Sequence, residues 1–271
     1  MDFKEKFKTT LRIIVPGIKY SIQKETAYVA NNIGNTFSTF FYTLALVLFI
    51  DIIYTNTDNF ANYSKDEMLI FTVVGQAGFY ALFIFYNLYS NFDNIVRRGQ
   101  LDMILVKPIP IVPYLYVTQM NLIQSLRDGV IPILLICTKI EFTHVNITIG
   151  SFIWFLIIFL AGLIIANCIH FLGASSSLIT KASNKLFWTI HLVFFKSSNK
   201  IPFEGYKKIF GKVIHLFFPV FLLTGISSSV LLNKVNGCVY TFLSIIICIA
   251  TVIVSNIVFN TWLKKYSSAS S

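Results

Sequence analysis

Ile95-Val-Arg-Arg-Gly-Gln-Leu-Asp-Met-Ile-Leu-Val-Lys-Pro108 is a polar break between two long apolar runs of the sequence. Each flanking run is long enough to cross a lipid bilayer as a helix, since about 20 apolar residues span the hydrocarbon core. The break would then lie in water beside the membrane, within reach of a soluble molecule. This alternation predicts a polytopic membrane protein.

The composition of the whole chain agrees with this class. Of its 271 residues, 55% are hydrophobic and only 13% are charged, whereas about a quarter of the residues of a soluble domain are charged. Unpaired backbone amides are too costly in hydrocarbon, so the spans are expected to be helices and the fold all-α. Five spans are clear: Asn35–Ile53, Met68–Leu88, Ile111–Ile136, Ile149–Phe171 and Val239–Trp262.

The net charge of +10 does not indicate nucleic acid, because the basic residues lie in short loops beside apolar runs, as the positive-inside bias requires. The loop from Tyr54 to Glu67 carries only Lys65, whereas the loop from Tyr89 to Pro110 carries three basic residues and the segment before the first span carries six. The bias predicts that both termini lie in the cytosol.

Residues 1–32 predict a basic amphipathic helix in the headgroup layer. Phe3, Phe7, Leu11 and Ile14 recur at helical spacing between lysines and an arginine, a pattern typical of interfacial helices. Pro16-Gly17 is expected to break this helix. The alternative is a solvated tail.

The loop at 91–110 predicts a second, short amphipathic helix. Its apolar stripe is Ile95, Leu101, Met103, Ile104 and Leu105. Pro108, Pro110 and Pro113 are expected to stop the helix. Such a helix either docks into a groove of a soluble partner or lies on the lipid surface, and physical reasoning leaves both open.

The run from Gly99 to Pro108 resembles the G-x-L-D-x-x-L-x-[KR]-P signature of permease subunits of type-2 ATP-binding-cassette exporters, in particular the small six-helix bacterial permeases. The likeness extends over the chain, through Lys19 to Tyr28, Phe187-Trp188, Pro202 to Tyr206, Phe218-Pro219-Val220 and Lys265 to Ser271. Where the family commonly has a tyrosine-proline pair, this chain has Ile201-Pro202.

The resemblance implies a coupling helix in the loop at 91–110, which would sit in a cleft of a separate ATPase subunit. Leu101, Ile104 and Leu105 would fill the cleft, and Arg98 and Asp102 would form charge pairs at its rim. The residues implied in this contact are Arg97, Arg98, Gly99, Gln100, Leu101, Asp102, Ile104, Leu105, Lys107 and Pro108.

The resemblance also implies the other subunits of the transporter and its mechanism. Two permease chains, identical or homologous, would export a substrate from a bacterium across its cytoplasmic membrane by alternating access. ATP and Mg²⁺ would bind the partner subunit, because this chain lacks a phosphate-binding loop: its nearest approach, Gly205 to Val213, has one residue too many and no hydroxyl for magnesium. The chain itself is therefore expected to be neither an enzyme nor a metal protein.

The position of a sixth span has two solutions. Charge counting keeps Lys181 to Lys212 in the cytosol and uses Val213–Leu232 as the span. The resemblance instead implies a span at Ser177–Phe195, followed by a re-entrant hairpin over residues 205–232, in which Pro219 would suit the turn.

Arg127 and Asp128 are ionisable residues within the third span, where charge is costly. As sequence neighbours they project about 100° apart on a helix and are not expected to neutralise each other. They would line a pathway, contact another subunit or pair with other helices. Asp128 also keeps open a second function, an ion-coupled secondary transporter. An intramembrane enzyme would need a catalytic constellation that the sequence does not contain.

Overall fold

The computed structural model describes residues 3–26, 29–180, 186, 189, 202–205 and 219–267, and within these it contains helices and no strands. Single 3₁₀ turns occur at Phe142–His144, Phe203–Gly205 and Pro219–Leu222. In chain order the α-helices are α1 (Phe3–Thr26), α2 (Val29–Asn56), α3 (Lys65–Phe83), α4 (Tyr86–Arg97), α5 (Gln100–Leu105), α6 (Ile111–Thr118), α7 (Leu122–Cys137), α8 (Ile149–Ser175), α9 (Ser177–Thr180), α10 (Gly225–Leu231) and α11 (Gly237–Lys265).

Four stretches are long and apolar enough to cross a bilayer, and a fifth is a bent pair of helices. The four are Ile33–Asn56, Lys65–Arg97, Ile149–Thr180 and Gly237–Lys265. The fifth is α6 with α7, which meet at an angle of 59°. These five stretches coincide with the five spans expected from hydropathy, and the chain is a multi-pass membrane protein.

The sixth span is only partly within the described residues. The expected span at 177–195 lies mostly outside them. Over 219–232, a 3₁₀ turn leads into α10, which has 7 residues and is about 10 Å long, too short to cross a bilayer. The charge-count solution, one continuous helix over 213–232, therefore does not hold for the described part. The re-entrant hairpin stays a prediction.

All of α10 is buried, packed against α3 and α8. Leu223, just before it, lies against two glycines. A Cβ on Gly78 would lie 3.0 Å from the Leu223 side chain, and one on Gly162 would lie 2.7 Å from the Leu223 backbone. The small residues of α3 and α8 thus admit this segment into the bundle.

The expected break of the N-terminal helix at Pro16-Gly17 is wrong, because α1 runs through both residues. Gly17 lies so close to α6 that a Cβ there would be 1.9 Å from Val117 Cγ1. One turn later, Ser21 Oγ donates to Met120 O over 2.7 Å. These contacts with the third span hold the helix together across the proline, and Leu11 and Val15 remain exposed for lipid.

The buried side chains form two main clusters, one at each end of the bundle. The loop-end cluster comprises Val47, Ile50, Tyr63, Met68, Leu69, Ile70, Phe71, Val74, Ile136, Ile140, Leu231 and Leu232. The bend-end cluster comprises Leu88, Tyr89, Phe92, Ile95, Val96, Leu101, Leu115, Phe171, Ala174, Leu178 and Phe259.

Polar contacts tie the three loops at the loop end together. Lys234 Nζ lies 3.0 Å from Glu67 Oε2, donates to Asn62 O over 2.7 Å and sits 4.5 Å above the Tyr63 ring. The Asn233 amide donates to Asn146 O over 2.8 Å. Burial raises the pKa of Tyr63 well above its ordinary value, so its hydroxyl stays neutral and hydrogen-bonds to a buried serine of α10.

The close approach at Gly162 gives a stability test with a control on the same helix. We expect Gly162→Ala to lower the midpoint of heat-induced aggregation of the purified protein by about 5 °C, because the added methyl group overpacks the Leu223 backbone. Gly150→Ala, where a Cβ would meet nothing within 4 Å, should leave the midpoint unchanged. Equal midpoints for the two variants would contradict this packing.

Candidate functional site

The polar break forms a sharp bend rather than one helix. α4 ends at Arg97, Gly99 adopts a left-handed conformation with φ 68°, and α5 begins at Gln100. A side chain at such a φ is strained, which is why glycine suits this position. The expected amphipathic helix through Ile95 and Leu105 is therefore two helices that meet at Gly99.

The bend turns Leu101 inward. Leu101 is 0% exposed and belongs to the bend-end cluster, and Ile104 packs partly against the same cluster. The resemblance implied that Leu101 would fill a cleft of the partner, but here it contacts the chain's own helices. The outward apolar side chains are Met103, 70% exposed, and Val106, 85% exposed, with Leu105 at the margin.

Sequence reasoning missed Val106 and placed Met103 in the same stripe as Leu101. A stripe from Ile95 to Leu105 assumes one continuous helical register. A residue with positive φ resets that register, so the faces before and after Gly99 are not continuous. The glycine was the available signal, since it is the residue that most readily adopts this conformation.

The charges of the bend divide into inward and outward groups. Arg97 Nη2 lies 2.9 Å from Asp93 Oδ2, whose side chain is almost fully buried, so Arg97 mainly neutralises its own helix. Arg98, Gln100 and Lys107 are exposed. Lys107 Nζ also sits 5.5 Å above the Tyr114 ring of α6. Asp102 is half-buried, and its expected rim pairing stays a hypothesis.

The three prolines after the bend end a helix only in part, as the structure shows. α5 ends at Leu105, Pro108 lies in the turn after it, and Pro110 is the N-cap of α6. Pro113 does not stop a helix, because it lies in the first turn of α6, where proline is tolerated. The exit is short, so α5 is connected closely to the third span.

The bend-end cluster attaches α5 to three further helices. It joins Leu101 to Phe171 of α8, Leu178 of α9 and Phe259 of α11. The Phe171 ring lies 5.5 Å from Tyr116 of α6 and 5.0 Å from Phe259, centroid to centroid. Because packed side chains resist deformation, a displacement of α5 is transmitted to several spans.

Arg127 and Asp128 neutralise each other, contrary to the sequence expectation. Arg127 Nε lies 2.7 Å from Asp128 Oδ1, and Nη2 donates to Oδ2 over 3.2 Å. The expectation considered only the directions of the Cβ atoms. The long arginine side chain bends back along the helix and presents its guanidinium to its neighbour in a two-point contact.

This ion pair is located where α7 packs closely on α3. Asp128 is 4% exposed, and the next residue, Gly129, would place a Cβ 2.8 Å from Tyr80 Cβ. Ser125 donates to the Tyr80 carbonyl in the same contact. The partner of Asp128 is therefore an arginine of its own helix, at a packing contact between α7 and α3. The described residues contain no group of His, Cys, Asp and Glu that could hold a metal ion.

The sequence also matches a known protein family. The family model described as ABC-2 family transporter protein matches residues 40–270, most of the chain. The chain belongs to this family, which confirms the resemblance seen in the sequence. It is a permease subunit of an ATP-binding-cassette transporter, a component that is normally non-catalytic. Neither the curated proteins nor the solved structures contain a match.

The burial pattern of the bend can be tested by cysteine labelling. In a background with the four native cysteines replaced by serine, Met103→Cys and Val106→Cys should react rapidly with a polar maleimide. Leu101→Cys should react at least about tenfold more slowly, because Leu101 is fully buried. The rates are measured on purified full-length protein. Equal rates at 101 and 103 would contradict the inward turn.

The ion pair on α7 allows a second stability test. Arg127→Met leaves Asp128 buried without its cation, and we expect a loss of about 3–5 kcal/mol in stability. The double variant Arg127→Met, Asp128→Leu removes both charges and should recover most of this loss. The midpoint of heat-induced aggregation reports the difference. A single variant as stable as the parent would show that the pair is dispensable.

Proposed function

We propose that this chain is the membrane subunit of an exporter that receives its driving energy from a separate ATPase subunit at the bend over residues 97–108. The observation that carries the proposal is the exposed apolar group Met103, Leu105 and Val106 on an anchored turn. Exposed apolar side chains of this size at a fixed position are typical of a docking surface.

The surface around this apolar group is basic. Arg98 and Lys107 flank it, and Gln100 offers further hydrogen bonds. A fitting partner has an apolar groove with an acidic rim, because opposite charges at the rim steer the encounter and set the register. ATP and Mg²⁺ would bind in that partner, since this chain lacks the loop that holds nucleotide phosphates.

Energy would enter at α5 and reach the spans through the bend-end cluster, which also contains residues of α8 and α11. Two permease chains, identical or homologous, would enclose the pathway and alternate between inward-open and outward-open states. The broad apolar surfaces of α2 and α11 are available to lipid and to a second chain.

The proposed location is the cytoplasmic membrane of a bacterium, with both termini in the cytosol. The support is that the C-terminal end of α11, which carries Lys264 and Lys265, packs on the bend-end cluster that also contains Ile95 and Val96, while the opposite loops are poor in basic residues. The interfacial placement of α1 and the re-entrant hairpin at 205–232 belong to the same proposal.

The ion-coupled alternative has less support. A carboxylate that carries a coupling ion has to release it and bind it again. Asp128 already has a two-point contact with Arg127, and taking up a proton would leave that guanidinium without its counter-charge. Asp128 is therefore a poor candidate for an ion carrier.

The docking proposal is tested by co-purification with the candidate ATPase subunit. Arg98→Glu and the pair Met103→Asp, Val106→Asp should each weaken the affinity at least about tenfold, because they oppose the charge or the apolar contact of the bend.

Two matched controls separate this effect from general damage. Phe142→Asp changes an exposed apolar residue of a loop at the opposite end, and Lys139→Glu reverses an exposed charge of the same loop. Both should keep the parent affinity. Unchanged affinity in the bend variants would overturn the docking surface.

A further inference from the structure

The second and third spans each contain a helix break, and the two breaks contact each other. α3 gives way to α4 at residues 84 and 85, and α6 gives way to α7 over residues 119–121. The Asn121 N–H donates to Ile84 O over 2.7 Å, and the Asn87 amide donates to the Asn121 side-chain oxygen. In the sequence, the contact lies within the second and third candidate spans, and α4 and α6 separate it from the bend.

The N-terminal helix completes this contact. Ser21 Oγ of α1 donates to Met120 O, one of the carbonyls in the third-span break. Ser21, Ile84, Asn87, Met120 and Asn121 are together termed the junction. Ser21 and Asn121 are buried. The three hydrogen bonds between Asn121 and Ile84, Asn87 and Asn121, and Ser21 and Met120 join the members of the junction to one another.

Neither break is imposed by proline. Sharp kinks usually occur at proline, at glycine and serine pairs, or where a side chain enters the helical ladder. The stretch from Lys65 to Arg97 contains no proline, and in the third span Pro113 lies in the first turn of α6 and Pro132 in the second half of α7. Residues 119–121 can therefore also form a continuous helix, which would exchange cross-span hydrogen bonds for helical ones.

The junction lies between the two apolar clusters. The loop-end cluster includes residues of α2, α3, α7 and α10, the bend-end cluster includes residues of α4, α5 and α6 together with α8, α9 and α11, and the junction residues belong to neither. The hydrogen bonds of the junction, together with the stacked rings of Phe83 and Tyr86 across the first break, connect the parts on either side. This is the arrangement of a hinge, in which a few residues at the ends of elements absorb the change.

We propose that the junction is a hinge between the bend and the loop-end half of the bundle. α4, α5 and α6 move about it together with the ends of α8 and α11 that pack on the bend-end cluster, and Ser21, Asn87 and Asn121 are positioning residues that hold the bent state. Displacement of α5 exchanges the cross-span hydrogen bonds for helical ones and straightens the third span. The driving force rests on the proposed function, whereas the hinge itself does not.

The hinge is first tested on the isolated full-length chain in lipid nanodiscs. Spin labels at the exposed positions Val106 and Leu134, on a background without native cysteines, report the distance across the junction. Asn121→Leu removes the side-chain partner of Asn87 and should populate a distance longer by about 4 Å, from α6 and α7 rising 1.5 Å per residue and straightening from 59°.

A proline variant shows whether the longer distance is a straightened helix. Leu122 is the first residue of α7, where proline is favoured, but proline at the same position inside a continuous helix would disrupt it. Adding Leu122→Pro to Asn121→Leu should therefore restore the parent distance. Asn260→Leu, on the exposed surface of α11, is the matched control and should change nothing. An unchanged distance in Asn121→Leu overturns the hinge.

A second experiment connects the hinge to the motor. In the complex with the ATPase subunit, the labels are placed at Leu134 and at Asn91, an exposed residue of α4 outside the docking surface. ATP with vanadate should change the 91–134 distance in the parent and in Ile149→Pro, which places proline at the first residue of the unbroken α8. The complex with Leu122→Pro should bind ATP equally on its ATPase subunit and show no change of this distance. A change of the distance in Leu122→Pro overturns the hinge. If no ATPase subunit binds the parent chain, the proposed function fails and the isolated-chain experiment still decides the hinge.

Discussion

The hydrocarbon layer offers no water to an unpaired backbone amide, and this constraint governs the whole architecture. Most of the described spans meet it with unbroken helices. The exceptions are the second and third candidate spans, where carbonyls freed by the helix breaks accept hydrogen bonds from a neighbouring helix or break. The Asn121 N–H donates to Ile84 O, and Ser21 Oγ donates to Met120 O. The interruptions are thus satisfied where α1 and the two spans meet.

Hydropathy and charge were sufficient to predict the class of fold. Twenty-residue apolar runs have few alternatives to a helix, so the positions of five spans followed from the sequence. The interruptions did not, because Gln119 to Asn121 contain no proline or glycine and their break has contacts with α1 and with Ile84 of the second span, which lie far away in the sequence. The continuity of α1 through Pro16 was missed for the same reason, since its partner is Val117 on α6.

The position of the candidate site was predictable from the sequence, but the set of exposed side chains in it was not. The motif between Gly99 and Pro108 located the bend and named its family. Which side chains face outward depended on one dihedral angle at Gly99, and this turned Leu101 inward and Met103 outward. The ion pair of Arg127 and Asp128 was misjudged because Cβ directions alone do not describe where a flexible arginine can reach.

The segment that contains α10 has a consequence for biosynthesis. Its three serines satisfy their hydroxyls on carbonyls within the same segment, three or four residues back, and all of them are buried against α3 and α8. Both of those helices precede it in the chain. The ribosome therefore synthesises α3 and α8 before α10. It synthesises α11, which packs along α8, only afterwards. The surface that buries this segment is therefore synthesised before the segment itself.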